Sequence, residues 1–148
     1  MSSPSSHTIL CISTPSQIAS CLATYQELRP HLIDEQQFVL QIEHQQKQDG
    51  FRLNAISIGD EIVALVGYRI MTTTAWGKIV YIDDLVCKES HRGKGLGSQL
   101  LHFVDNFAKE NGCKQVHLDS GYQRNAAHKV YLNNGYILGC HHFIKTLN

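Results

Sequence analysis

Apolar positions along the chain recur at two spacings, and each spacing predicts its own kind of element. From Leu96 onward, Leu100, Phe103, Val104, Phe107 and Ala108 fall on one stripe of an α-helix that Gly112 closes. An earlier stripe, Ile18, Leu22, Tyr25 and Leu28, predicts a helix beginning at Thr14-Pro15-Ser16-Gln17 and ending at Arg29-Pro30. Thr14 is its N-cap, Pro15 its first helical residue, and Gln17 completes a capping box. Asp34 is a candidate N-cap for a second helix with Phe38, Val39 and Ile42 inward, stopped at Asp49-Gly50. Its span from Leu32 to Gln48 is a candidate substrate wall.

Short β-rich runs predict strands at His7–Ser13, Phe51–Ile58, Glu61–Met71, Lys78–Cys87 and Lys114–Ser120. Gly59-Asp60 is the turn of a hairpin, and Thr72–Gly77 a loop carrying the only tryptophan, Trp76. A last helix is expected from about Arg124 to Asn134, with closing strands at Tyr136–Cys140 and His142–Leu147. The order β-α-α-β-β-β-α-β-α-β-β predicts an α/β fold: a mixed sheet of about six to seven strands with helices on both faces. Residues 7–148 are expected to form one domain, and residues 1–6, which are polar, to be frayed.

The chain has 148 residues, with 13 basic and 13 acidic side chains that cancel. That balance gives no support for nucleic-acid binding, which calls for a basic excess. No apolar run approaches membrane-spanning length. The five cysteines are odd in number and hold no C-x-x-C pair, as for reduced thiols in a cytoplasm. Nine histidines are scattered, and the adjacent His141 and His142 would point to opposite faces of a strand, so no metal site is expected.

The chemistry is carried by the stretch around residues 81–98. A strand ending in Leu85, Val86 and Cys87 runs into a basic, glycine-rich helix start: Arg92, Gly93, Lys94, Gly95, Leu96, Gly97, Ser98. Glycines let backbone approach a ligand, and free N–H groups at a helix start attract anions. With Arg92 and Lys94 the turn reads as a cradle for a diphosphate. It is neither G-x-G-x-x-G nor G-x-x-x-x-G-K-[ST].

The pattern met by Arg92, Gly95 and Gly97, R-x-x-G-x-G, resembles the acetyl-CoA-binding motif of the GNAT superfamily of N-acetyltransferases. The run from Asn125 to Tyr136 is similar to a second signature of that family, N-x-x-A-x-x-x-Y-x-x-x-G-[FY]. Asn125, Tyr131, Gly135 and Tyr136 meet it; Ala127 is offset by one, with His128 three places after Asn125.

The resemblance implies a GNAT-like fold, acetyl-CoA as cosubstrate and a primary amine as acceptor. It implies that acetyl-CoA lies where the strand ending at Cys87 splays from the strand Lys114–Ser120. Backbone groups near Leu85, Val86 and Cys87 would pair with the pantetheine arm. Amides of Gly93 to Ser98 would hold the diphosphate, and Asn125 would contact the pantetheine or its phosphates. Tyr131 would donate a proton to the leaving thiolate.

The attacking ammonium must also lose a proton, and Asp83 and Asp84 are the candidate acceptors. Strand alternation sends them to opposite faces, with Asp83 on the face of Tyr81 and Leu85. A structural role as hydrogen-bonded carboxylates is equally consistent with their position. The run Tyr81-Ile82-Asp83-Asp84 looks like that of diamine and polyamine acetyltransferases, and the C-terminal run like the aminoalkylphosphonate branch. Both imply a small amine. A protein amino group as acceptor, a non-catalytic acyl-CoA-binding module and an unrelated phosphate-binding α/β domain are the alternatives. The sequence leaves monomer or homodimer open.

Overall fold

A computed structural model describes residues 7–148; the six N-terminal residues expected to be frayed lie outside the described residues. The described chain divides into two compact units, one ending at Leu118 and the other running from Asp119 to Asn148.

The first unit is a five-stranded sheet in the order β1-β2-β3-β4-β5. Its strands are β1 (Ile9–Cys11), β2 (Arg52–Ile58), β3 (Glu61–Thr73), β4 (Gly77–Cys87) and β5 (Val116–Leu118). The first four pair antiparallel, and β5 lies parallel to β4. Between them run α1 (Pro15–Ser20), α2 (Leu22–Leu28), α3 (Glu35–Gln48) and α4 (Leu96–Glu110).

Local signals act as the sequence predicts. The Thr14 side chain accepts from Gln17 N–H and Gln17 reaches back to the Thr14 backbone, with Pro15 at the helix start. Asp34 caps α3 through Gln37 N–H at 3.0 Å. The first predicted helix is two helices, because the chain turns at Cys21 between α1 and α2.

Alternation along β3 separates two packed layers. Gly67 faces α2: a Cβ there would overlap the Phe51 ring and crowd the Tyr25 hydroxyl. Its neighbour Tyr68 points the other way, edge-on to Phe103 and Phe107 of α4, with ring centroids 6.4 and 5.0 Å away. The layer beneath α1–α3 is a buried cluster that includes Ile18, Tyr25, Phe38, Ile42, Leu53, Leu65 and Val86. Buried Thr24 ties α2 to β3 by donating to Ile62 O at 2.7 Å.

The second unit contains α5 (Asn125–Asn133), with Tyr131 buried and its ring 5.9 Å from that of Tyr136. The closing strands expected at Tyr136–Cys140 and His142–Leu147 are not formed, so the sheet has five strands rather than six to seven. A strand needs a partner to satisfy its backbone, and no strand is formed over the described residues of that tail. Its large apolar side chains are exposed.

Candidate active site

Strand β4 and the start of α4 that follows it carry most of the residues singled out in the sequence. Its ladder with β5 is short, joining only Val80, Tyr81 and Ile82 to Val116, His117 and Leu118. Beyond Ile82 no described strand pairs with that edge of β4. On the opposite edge, Leu85, Val86 and Cys87 pair with Val66, Leu65 and Ala64 of β3. Leu85 to Cys87 therefore sit in a strand that is paired on one side and, among the described residues, in no ladder on the other.

The chain then makes one 3-10 turn at Glu89–His91 and enters α4. Gly93 and Gly95 both adopt left-handed backbone, at φ 79° and 78°, and Gly95 is the helix N-cap. No side chain caps α4 at Gly95, and N–H groups at a helix start attract anions. Leu96 is buried and anchors the helix start to the core. Gly97 is the second helical residue, followed by Ser98. Arg92 and Lys94 are exposed beside this turn. The turn is braced from below: Glu89 N–H donates to Glu27 Oε1 at 2.8 Å, and Lys88 pairs with Glu61 at 2.9 Å. Burial pushes the Cys87 thiol up, so it behaves as a neutral packing group.

The two aspartates do not point to opposite faces. The β3–β4 register steps from Gly67↔Asp84 to Tyr68↔Ile82, so Asp83 is an extra residue in β4, a β-bulge. Paired residues share a face; Ile82 therefore faces α4 with Tyr68, and Asp84 faces α2 with Gly67. The bulge also moves Leu85 to the far face, opposite Val66. Asp83, Asp84 and Tyr81 all line one cavity of about 450 Å³. The expectation that only one carboxylate meets this space, and that Asp83 shares a face with Leu85, is corrected by that inserted residue.

Both carboxylates are held. Arg69 grips Asp83 with two bonds, Nε to Oδ1 at 3.0 Å and Nη2 to Oδ2 at 2.6 Å. Asp84 accepts from Arg29 at 2.9 Å and from the Tyr25 hydroxyl at 2.7 Å. Burial raises the Asp83 carboxyl above its usual range, against the pull of Arg69. Burial, and then the negative charge of Asp84, holds the Tyr25 phenol well above its ordinary value, so Tyr25 stays a donor. Arg29, His31, Leu32, Phe38, Gln41, Ile42 and Gln45 form the rest of the wall. The segment from Leu32 to Gln48 thus flanks the acidic pair.

Tyr25, Arg29 and Arg69 were absent from the sequence-derived set. Arg69 carried a signal, the one cation in a largely apolar strand. Tyr25 carried none, since its spacing is that of a core residue.

The other two predicted residues belong to the second unit. Asn125 is exposed at the first position of α5, and Tyr131 is two turns further on. Burial raises the Tyr131 phenol, partly opposed by the charge of Arg124. It therefore keeps its proton at neutral pH.

A strand left open past a parallel partner, with a glycine-capped helix start at its end, invites comparison with known proteins. Residues 18–136 match the model of the Acetyltransferase (GNAT) family. The chain belongs to that family. It is 32% identical over 105 residues to the uncharacterised N-acetyltransferase YhdJ of Bacillus subtilis, covering 71% of this chain and 73% of that one. It is 27% identical over 119 residues to the aminoalkylphosphonate N-acetyltransferase of Salmonella typhimurium, covering 72% and 76%. Its fold matches AAC(6')-Iy in complex with the bisubstrate analogue CoA-S-monomethyl-acetylneamine, with TM-score 0.81, 14% identity and coverage of 97% and 99%. This GNAT protein is an N-acetyltransferase. No helix among its described residues is long and apolar enough to cross a membrane.

Proposed function

We propose that the enzyme moves the acetyl group of acetyl-CoA to the primary amine of a small molecule bound beside Asp83. The observation that carries this reading is the acidic cavity of about 450 Å³ on β4. Its volume lies in the range of small-molecule sites, ~300–1,000 Å³. Its carboxylates favour a cation, while Arg29 and His31 on the same wall suit an acceptor that also carries an anionic group. The Salmonella typhimurium relative is named for aminoalkylphosphonates, which have both.

Acetyl-CoA is assigned to the open edge of β4 and the helix start. The pantetheine arm pairs with Leu85, Val86 and Cys87 as an added strand, and the diphosphate takes the amides of Gly93 to Ser98, with Arg92 and Lys94 adding charge. Asn125 is a further contact to the cofactor. At ~3.3 Å per residue, Asp83 and Asp84 lie within about 7 Å of Leu85 along the same strand. A backbone N–H there polarises the thioester carbonyl as it becomes an oxyanion.

An alkyl ammonium has a pKa of about 10 and must lose a proton before it attacks. Asp83, whose carboxyl is raised, takes that proton directly or through water. The amine then forms the C–N bond, the C–S bond breaks, Tyr131 protonates the departing thiolate, and the second proton, lost from the new amide nitrogen, restores the Tyr131 phenol. Asp84 is assigned a positioning role, tying β4 to α2 through Arg29 and Tyr25.

The test is acetyl-CoA-dependent thiol release over a panel of polyamines, aminoalkylphosphonates, amino acids and peptides. At least one small primary amine is expected to turn over with a kcat/KM well above that of any peptide. Preference for peptides would establish protein acetylation instead. Acetyl-CoA binding without turnover of any amine would mark a non-catalytic module.

A further inference from the structure

Helix α2 holds more of the molecule than the acidic pair. Buried Thr24 ties it to β3 at Ile62 O, and Tyr25 and Arg29 tie it to Asp84 on β4. Arg29 Nη2 also donates to Asp83 O at 3.2 Å. Glu27, between these anchors, reaches a different target. Its Oε1 accepts from Glu89 N–H at 2.8 Å, across 62 positions of sequence. Glu89 opens the 3-10 turn that leads into the glycine-rich start of α4. Lys88, just before it, supplies no side-chain cap, so the first amide of the turn is satisfied from another element.

The chain on either side shows why that bond bears on a ligand. Lys88 N–H donates to Val63 O at 2.8 Å, and the turn closes through His91 N–H to Lys88 O at 2.9 Å. Arg92 Nε folds back to Cys87 O at 3.4 Å. Beyond Arg92, Gly93 and Gly95 have left-handed backbone with open space around them. Glycine adds no side-chain restraint, so the path from residue 93 to residue 95 is set by its two ends. One end is Leu96, buried in the core. The other is the 3-10 turn that Glu27 holds.

We infer that Glu27 is a positioning residue for acetyl-CoA: it sets the 3-10 turn so that the amides of Gly93 to Ser98 meet the diphosphate ready-formed. This rests on the assignment of the diphosphate to the start of α4. Without the bond from Glu89, the turn holds the receptive form for only part of the time, and the apparent dissociation constant rises in inverse proportion to that fraction. A hydrogen bond of ordinary net strength sets the rise at about 3- to 10-fold. The same helix holds Asp84, so one short element places parts of both the acceptor side and the cofactor side.

Calorimetric titration of acetyl-CoA into wild type, Glu27→Ala, Glu27→Gln and Gly97→Val tests this, with urea unfolding to check that each variant is folded. Glu27→Ala removes the acceptor and is expected to raise the dissociation constant about 3- to 10-fold. Glu27→Gln keeps an oxygen acceptor on a side chain of the same length, and its affinity is expected within about twofold of the wild type. A bond with a merely structural role would leave the dissociation constant alone. Hydrogen exchange on the wild type gives a readout that needs no variant: the Glu89 amide is expected to be protected before any ligand is added. Wild-type affinity in Glu27→Ala overturns the inference. So does a Glu27→Gln variant as weak as Glu27→Ala, or a Glu89 amide that exchanges freely. If Gly97→Val weakens binding and Glu27→Ala does not, only the role of Glu27 falls. If neither weakens it, the diphosphate assignment falls as well.

Discussion

Asp83 and Asp84 are neighbours in sequence and in the cavity, but their surroundings divide their roles. Asp83 is raised by burial and its carboxylate is gripped by Arg69; the Asp84 carboxylate is clamped by Arg29 and Tyr25. Asp83→Asn is expected to cut acceptor turnover sharply with little change in acetyl-CoA affinity. In the wild type, the acid limb of kcat/KM is expected above the ordinary aspartate value near 3.8, in the direction of the Asp83 shift. Asp84→Asn removes a charged acceptor from two donors and is expected to cost about 1–3 kcal/mol of stability, read from urea unfolding. Full stability with abolished turnover in Asp84→Asn, and a silent Asp83→Asn, would reverse the assignment. Tyr131→Phe removes only a hydroxyl. Single-turnover rates are expected to fall by about 10²–10⁴, the usual range for a general acid, with stability and acetyl-CoA affinity near wild type. A wild-type rate in that variant would reduce Tyr131 to a packing residue against Tyr136.

At the scale of elements, glycines act in two distinct ways. Gly95 has left-handed backbone with open space around it, so its constraint is conformational. Gly67 has ordinary backbone, and its constraint is the Phe51 ring lying against it. Gly67→Ala is expected to destabilise by about 1–3 kcal/mol through overpacking, measured by thermal or urea unfolding. A neutral Gly67→Ala would mean that Phe51 moves aside freely. The same elements show what the sequence could and could not reveal. The capping box at Thr14, the cap at Asp34 and the glycine-rich start of α4 are local devices, written in consecutive residues, and all three were legible. The bulge at Asp83 was not. Alternation has no mark for an inserted residue, and the pairing register that exposes it is a property of two strands together. Arg29 and Arg69 were missed for a related reason: their partners lie 55 and 14 residues away in sequence.

Across the whole molecule, the mixed sheet with helices on both sides followed from the order of elements. The expected sixth and seventh strands did not form, because strand-like composition supplies no pairing partner. Strand chemistry at Tyr136–Leu147 was read correctly as composition and incorrectly as a ladder. The core also predicts an alkaline limit. Burial holds the Tyr25 phenol well above its ordinary value and raises that of Tyr68 to about 12. The unfolded chain releases these protons first, so their contribution to stability is full below about pH 10 and is lost as pH rises through the folded-state values. Urea unfolding is expected to show stability falling from about pH 10 upward, with a shallower fall in Tyr25→Phe. An equal slope in that variant would exclude Tyr25 from the effect.

The central claim is that acetyl-CoA lies along the open edge of β4 with its diphosphate on the start of α4. Calorimetric titration of acetyl-CoA into wild type and Gly97→Val tests it most directly. Gly97 is inside the helix and not at positive φ, so valine there leaves the backbone unstrained, and its branched side chain is expected to obstruct the approach of a ligand. The account predicts saturable binding to the wild type and a dissociation constant at least ~30-fold higher in the folded variant, equivalent to about 2 kcal/mol. Equal affinity for the two proteins would contradict it.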